Sequence, residues 1–316
     1  MSGLQMELRL KQIREEALNI HSFEFVAARE GVSLPRFTAG AHLDLQLPGN
    51  KVRSYSLANS PAETGRYVVA VQREAAGRGG SVWMHEQLRV GQVISSSVPI
   101  NDFELDASAG KSVLFAGGIG ITPLLAMVDQ LERTRQDWRL HYGARSHEVM
   151  AYRDALRMLD AGRGRVTEYL GDEHMDFAGL LAAEPASTHA YCCGPSAMLD
   201  NFIESTRQRP AGTVHFERFG AADAPALNGG FEVVLSRSGR RIPVPAGKTI
   251  LDALLDENIS VPYACSNGVC GTCLTRVVSG EVDHRDLFLS DQEKQQGQSI
   301  MVCCSGSKSP VLELEL

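Results

Sequence analysis

Over residues 5 to about 105 apolar and polar side chains alternate in short runs, as in Phe23-Glu-Phe-Val26, Leu43-Asp-Leu-Gln-Leu47 and Tyr67-Val-Val-Ala-Val71, with Pro and Gly between them. A period of two turns one face of each run toward a core, and the close spacing predicts a small antiparallel β-barrel. One helical patch, residues 81–88, interrupts it. From Lys111 the period changes. An apolar run over 112–116 passes through Gly117-Gly-Ile-Gly-Ile-Thr-Pro123 into a helical pattern whose Met127, Val128 and Leu131 are core positions, with Pro123 in the first turn as a start signal.

Further strands at 139–142, 165–169 and 188–192 alternate with helices at 152–159 and 196–207, which predicts a parallel sheet with crossovers. The small, Pro- and Gly-containing stretch 220–230 has no period and reads as a linker. Strands at 231–235 and 241–244 and a helix at 249–258 follow. The expected domains are therefore residues 1–106, 107–222 and 231–316, with the linker proper at 223–230.

Composition narrows the function. The 316 residues carry a net charge of -7 without a basic stripe, which argues against a nucleic-acid partner. The longest apolar stretch, 112–128, is broken by Gly117, Gly118, Gly120 and Pro123, so no membrane span is expected. The chain opens Met-Ser-Gly-Leu-Gln-Met without a charged head and apolar signal, and its seven cysteines are an odd number. Free thiols in a reducing, cytoplasmic setting are expected, with a monomer as the default.

The cysteines carry the sharpest motif. Cys265-Ser-Asn-Gly-Val-Cys270-Gly-Thr-Cys273, followed thirty positions later by Cys303, has the plant-type spacing of a 2Fe-2S cluster. Ser266, Gly268, Gly271 and Thr272 are small, as a loop wrapped around an anionic core requires. The spacing alone accepts Cys303 or Cys304 as the fourth ligand. A zinc site on Cys270 and Cys273, or buried structural cysteines, are the alternatives, but no second short pair or His pair accompanies them. A Rieske centre is excluded, because no Cys-x-His pair exists.

The glycine turn at 117–123 follows a strand and opens a helix, the context in which backbone approaches a pyrophosphate. Its third fingerprint glycine is missing, and Gly143-Ala-Arg145-Ser146 stands where an acidic residue would mark the second strand, so a purely structural turn stays open. Cys193-Gly194-Pro195, at the end of a later strand of the same sheet, can face the same ligand. In the barrel, Arg53-Ser54-Tyr55-Ser56 offers a guanidinium, a flat ring and hydroxyls, and Arg78-Gly79-Gly80-Ser81 offers an anion site. Taken singly, these pieces read as a surface ion pair and a turn. Read together, ahead of a nucleotide turn and an electron-carrying cluster, they point to a flavin.

In this order, with His215-Phe-Glu-Arg-Phe219-Gly between the nucleotide region and the cysteine loop, the motifs resemble the phthalate dioxygenase reductase family over nearly the whole chain. That family includes the reductases of vanillate demethylase and carnitine monooxygenase. The resemblance implies an antiparallel FMN-binding β-barrel, a doubly wound parallel-sheet NADH domain and a C-terminal β-grasp ferredoxin domain, together feeding a Rieske-type oxygenase. By position it implies that Arg53, Ser54, Tyr55, Ser56, Ala70, Val71 and Gln72 hold the flavin. Arg78, Gly79, Gly80 and Ser81 hold its phosphate. Gly118, Gly120 and Thr122 line the flavin and nicotinamide boundary, Cys193, Gly194 and Pro195 lie near the nicotinamide, and Phe219 packs by the flavin ring. Cys265, Cys270, Cys273 and Cys303 match the cluster ligands, and Cys304 falls where the family needs none. The Arg145-Ser146 pair departs from the acidic pattern suited to NADH.

Hydride chemistry moves two electrons and the cluster accepts one, so a flavin must divide them. The expected path runs from NADH through FMN and the 2Fe-2S cluster to an external protein, with no general acid or nucleophile required. Two alternatives stand beside it: an FAD-type reductase for a diiron or other acceptor, and a redox-sensing cluster protein with degenerate nucleotide sites. The nine histidines show no metal spacing, and Asp283-His284-Arg285-Asp286 reads as a solvated turn in preference to a docking edge.

Overall fold

The computed structural model describes residues 5–49, 51–75, 77, 79–219, 225–263, 268 and 271–316. The chain forms two compact units, one of Ser2–Leu47 and Ser54–Phe219, the other of Met1, Pro48–Arg53 and Gly220–Leu316.

The first sheet contains β1 (Gln5–Ala17), β2 (Ile20–Ala27), β3 (His42–Leu47), β4 (Lys51–Ser56), β5 (Tyr67–Gln72) and β6 (Val93–Ser97) in the order β4-β3-β6-β1-β2-β5. The described pairings are antiparallel, and a bridge from Leu57 to Val69 ties the end of β4 to β5, so the two edges meet as in a barrel. Alternation does what the sequence predicts: Leu8 and Leu10, Phe23 and Phe25, and Leu43 and Leu45 are all fully buried. The helical patch is α1 (Gly80–Glu86), whose Met84 enters that core.

The second sheet is parallel throughout. Its strands β7 (Lys111–Gly117), β8 (Asp137–Ala144), β9 (Val166–Leu170), β10 (His189–Gly194) and β11 (Val214–Arg218) lie in the order β11-β10-β7-β8-β9. Helices α2 (Ile121–Arg133) and α3 (Arg153–Asp160) share a core with Leu114, Leu140 and Tyr142, and Met127, Val128 and Leu131 are buried in it. Helices α4 (Phe177–Ala182) and α5 (Ser196–Thr206) share another with Val113, Phe115 and Cys192, so both faces are covered. The chain proceeds outward from β7 to β9 and then crosses to β10 on the other side of β7. Between β7 and β10 the strand order reverses, which is where ligands bind in such sheets. Strand β11 and helix α4 have no counterpart among the sequence-based expectations.

The second unit holds β12 (Phe231–Leu235), β13 (Arg241–Val244), α6 (Ile250–Asp256), β14 (Leu274–Ser279), β15 (Val282–Asp283), α7 (Asp291–Gln296), β16 (Ser299–Met301), β17 (Gly306–Ser307) and β18 (Val311–Leu314). Five strands form a mixed sheet, β13-β12-β18-β14-β16, in which β12 and β18 are parallel, and β15 pairs with β17 as a separate ribbon. Helix α6 starts at a capping box in which Thr249 and Asp252 satisfy each other's backbone N–H, and it buries Ile250, Leu251 and Leu254 against the sheet. A mixed sheet crossed by one helix is the β-grasp arrangement. The end of the predicted linker is anchored to this unit, where Ala226 N donates to Cys304 O at 2.8 Å and Leu227 O accepts from Gly247 N at 2.8 Å. Among the described residues no helix is long and apolar enough to cross a membrane.

Candidate functional site

At the switch point, two turns pack backbone against backbone. A Cβ on Gly120 would lie 2.2 Å from the Cys193 carbonyl oxygen, and one on Gly194 would lie 3.1 Å from Gly117 Cα. Pro195 closes on the same spot, its Cδ 2.6 Å from a Cβ built on Gly117. Only glycine permits this contact, so the fingerprint glycines here serve strand-end packing as well as approach to a ligand. Gly118 adopts φ 53°, and its carbonyl accepts from the Tyr142 hydroxyl at 3.2 Å, fixing the peptide that leads into α2. Thr122 is buried and donates to Ile119 O at 3.1 Å. Cys193 is fully enclosed, and burial pushes its thiol well above the ordinary range. It is therefore an uncharged thiol at neutral pH and not a nucleophile.

The end of β4 comes to the same region. Ser56 is buried, and its hydroxyl donates to Glu217 Oε2 at 3.5 Å. Burial pushes Glu217 up to about 8, with Asp102 adding to the rise and the Ser56 bond opposing it. Glu217 belongs to the His-Phe-Glu-Arg-Phe-Gly motif but has no role in the sequence-based reading, because a lone glutamate beside an arginine reads as solvated. Two residues on, Phe219 is 40% exposed.

The remaining predicted flavin residues distribute as follows. Ser54 Oγ donates to Asp44 Oδ1, and Arg53 Nη1 donates to Val52 O at 2.7 Å. Tyr55 is half-buried against the barrel core. Ala70 and Val71 are buried on β5, Gln72 is exposed, and Val71 O lies 2.8 Å from His85 Nε2 on α1. Gly79, with φ 79°, precedes buried Gly80, and the Ser81 hydroxyl accepts from Glu74 N at 3.0 Å. Arg78 lies outside the described residues.

In the β-grasp unit, Cys273 and Cys303 are 2% and 1% exposed and hydrogen-bonded to each other. Cys265 and Cys270 lie outside the described residues, as do Ser266 and the other residues between them except Gly268. No disulfide forms among the described cysteines. Gly268 and Gly271 have φ 75° and 77°, and a Cβ on either would fall 2.4 Å from a neighbour, Cys304 Sγ for the first and the Phe288 ring for the second. The left-handed backbone at Gly268 and Gly271 and the paired thiols of Cys273 and Cys303 fit a small thiolate-ligated cluster. Cys304, on the other side of Gly268, is fully buried, with its Sγ 3.7 Å from Met301 O. One expectation is corrected: Asp286 is not part of a solvated turn. It is 2% exposed, because its carboxylate serves three donors described below.

Comparison with known proteins agrees with this arrangement. Residues 233–307 match the family model described as a 2Fe-2S iron-sulfur cluster binding domain. The chain is 49% identical to phenoxybenzoate dioxygenase subunit beta of Ectopseudomonas oleovorans, covering 98% of this chain and 97% of that one. It is 43% identical to phthalate dioxygenase reductase of Burkholderia cepacia, with 98% and 97% covered. A solved phthalate dioxygenase reductase, described as a modular structure for electron transfer from pyridine nucleotides to 2Fe-2S, superposes with a TM-score of 0.89 at 42% identity, covering 99% of this chain and 98% of that one.

Proposed function

The chain belongs to the phthalate dioxygenase reductase family, and from that premise we propose that it is the reductase component of a Rieske-type oxygenase system, taking electrons from NADH through FMN to a 2Fe-2S cluster. The observation that carries this is the end-to-end match of one chain to a structure that joins pyridine nucleotide oxidation to 2Fe-2S reduction. FMN would supply the change from paired to single electrons, and the cluster would supply one-electron delivery.

The residues do the rest. Gly118, with nothing within 4 Å of a Cβ, leaves backbone open at the strand end where a dinucleotide pyrophosphate would sit, while Gly117, Gly120 and Gly194 hold the two turns together. Cys193, a fully enclosed neutral thiol, anchors in the core the strand end that carries Gly194 and Pro195, the proposed neighbours of the nicotinamide. Ser56 and Glu217 present a hydroxyl and a carboxyl that holds its proton at neutral pH, so no bare negative charge opposes a flavin gaining electrons. Arg53 and the segment 78–81 are the proposed phosphate contacts, and Phe219 the proposed ring cover. Cys265, Cys270, Cys273 and Cys303 are the proposed ligands. The proposed domain limits are 1–106, 107–222 and 231–316. A reducing, cytoplasmic setting is proposed from the buried free thiols, with a monomer as the proposed state.

Anaerobic titration of the full chain with NADH tests the proposal. Flavin and cluster absorption bleach together and added cytochrome c is reduced. Heat-released flavin chromatographs as FMN. A cluster that stays oxidised under NADH would support a redox sensor instead, and released FAD would support a reductase of the FAD type.

A further inference from the structure

Beside the cluster loop lies a buried carboxylate that no step above uses. Asp286, whose side chain is 0% exposed, accepts from Leu289 N at 2.9 Å, Ser305 Oγ at 3.2 Å and His284 Nδ1 at 3.3 Å. It touches the loop through Gly268. A Cβ on Gly268 would fall 3.1 Å from Asp286 Cα, and Leu287 N donates to Gly268 O at 3.0 Å. Gly268 itself stands two positions before Cys270 and three after Cys265. Ser305 links the carboxylate to the other side of the site, its hydroxyl 3.8 Å from Cys304 Sγ.

Three donors face the Asp286 carboxylate, as an acceptor-only group requires. His284 Nδ1 is on the carboxylate, and its Nε2 is buried with no hydrogen-bond partner among the described residues. Arg285 is turned to Asp283, with Nη2 2.9 Å from Oδ2. Lys294 of α7 reaches the same spot, its Nζ donating to the Asp286 backbone carbonyl at 2.6 Å.

We propose that Asp286 is a positioning residue that sets the reduction potential of the cluster, its fixed negative charge opposing the arriving electron while Lys294 offsets part of that field. The inference rests on the 2Fe-2S reading above. Net charge and burial around such clusters tune their potentials, and a charge in a dry site acts with little screening. The step itself adds one electron, supplied from NADH through the flavin, and no bond or proton at Asp286 changes. A carboxylate this close to the loop keeps the cluster a strong donor, which suits a component whose product is a reduced partner.

The test is a dye-equilibrated potentiometric titration of the full chain, followed by cluster absorption, after iron content and the visible spectrum establish that the cluster is present. Asp286→Asn, which keeps the shape and removes the charge, raises the midpoint potential by about a tenfold change in the reduction equilibrium, about 59 mV for one electron. Lys294→Gln lowers it. Simple loosening of the loop would move both variants the same way, and that result, or an unchanged potential in Asp286→Asn with iron retained, overturns the proposal. Should Asp286→Asn lose iron, Lys294→Gln decides alone: a lowered potential supports the proposal and an unchanged or raised one overturns it. Wild-type chain without 2Fe-2S absorption would instead overturn the functional reading beneath it.

Discussion

The Ser56 hydroxyl lies 3.5 Å from Glu217 Oε2, joining the end of β4 to β11 across 161 positions of sequence. The carboxyl it meets rises from 4.5 to about 8 on folding, chiefly through burial. Between those values the folded chain holds a proton that the unfolded chain has released, so stability falls as pH rises through that window. Glu217→Gln is neutral throughout and flattens the fall. Thermal melts of the full chain between about pH 5 and about pH 9 check this, with equal slopes for both proteins as the contrary result.

Gly118 and Gly120 stand two residues apart in one turn, yet their replacement by alanine has different consequences. At Gly120 a methyl meets the Cys193 carbonyl at 2.2 Å, backbone that cannot rotate away. Overpacking of this kind costs about 1–3 kcal/mol and separates β7 from β10 at the nucleotide site. At Gly118 nothing lies within 4 Å, and the cost is confined to the left-handed backbone at φ 53°, about 1 kcal/mol. Gly120→Ala therefore loses NADH affinity as well as stability. Gly118→Ala loses mainly stability, which parallel binding isotherms and melts separate.

Arg145 is exposed just beyond the C-terminal end of β8, on the side of the sheet where nucleotides bind. A guanidinium there can pair with a ribose phosphate, whereas an acidic residue would pair with a ribose hydroxyl. Arg145→Glu accordingly lowers kcat/KM with NADPH roughly tenfold, the worth of one charge-assisted hydrogen bond, and leaves NADH within about twofold. Steady-state cytochrome c reduction with both nucleotides measures the ratio.

How much of this was legible in the sequence depended on which residues carried a signal of their own. The barrel was visible because Phe23, Phe25, Leu43 and Leu45 alternate with polar neighbours, and burial follows that alternation. The cysteine spacing marked the cluster without any structure. Strand β11 was missed because Val214-His-Phe-Glu-Arg218 is an edge strand of partly exposed residues, lacking the apolar run that marks an inner parallel strand. Glu217 and Asp286 were missed for a shared reason. A carboxylate drawn partly or fully out of water is indistinguishable in sequence from a solvated one until its donors, here Ser56 for the first and Ser305 for the second, arrive from distant segments.

Cys303 and Cys304 are adjacent and equally buried, so exposure does not tell ligand from neighbour. Their partners do. The Cys303 thiol is bonded to Cys273; that bond lowers it, while Cys304 and burial outweigh the effect and push it up to about 12, so it ionises only against a cation such as iron. Cys304 is also hydrogen-bonded to the Cys303 thiol, but its Sγ lies beside Met301 O and Ser305 Oγ and fills the space against Gly268. Cys303→Ser therefore removes a thiolate from the set of four and abolishes most of the cluster absorption. Cys304→Ser keeps iron and the spectrum, because a hydroxyl can take over the same weak contacts. Iron and sulfide content with visible spectra of both variants decide the assignment, and the reverse pattern would move the fourth ligand to Cys304.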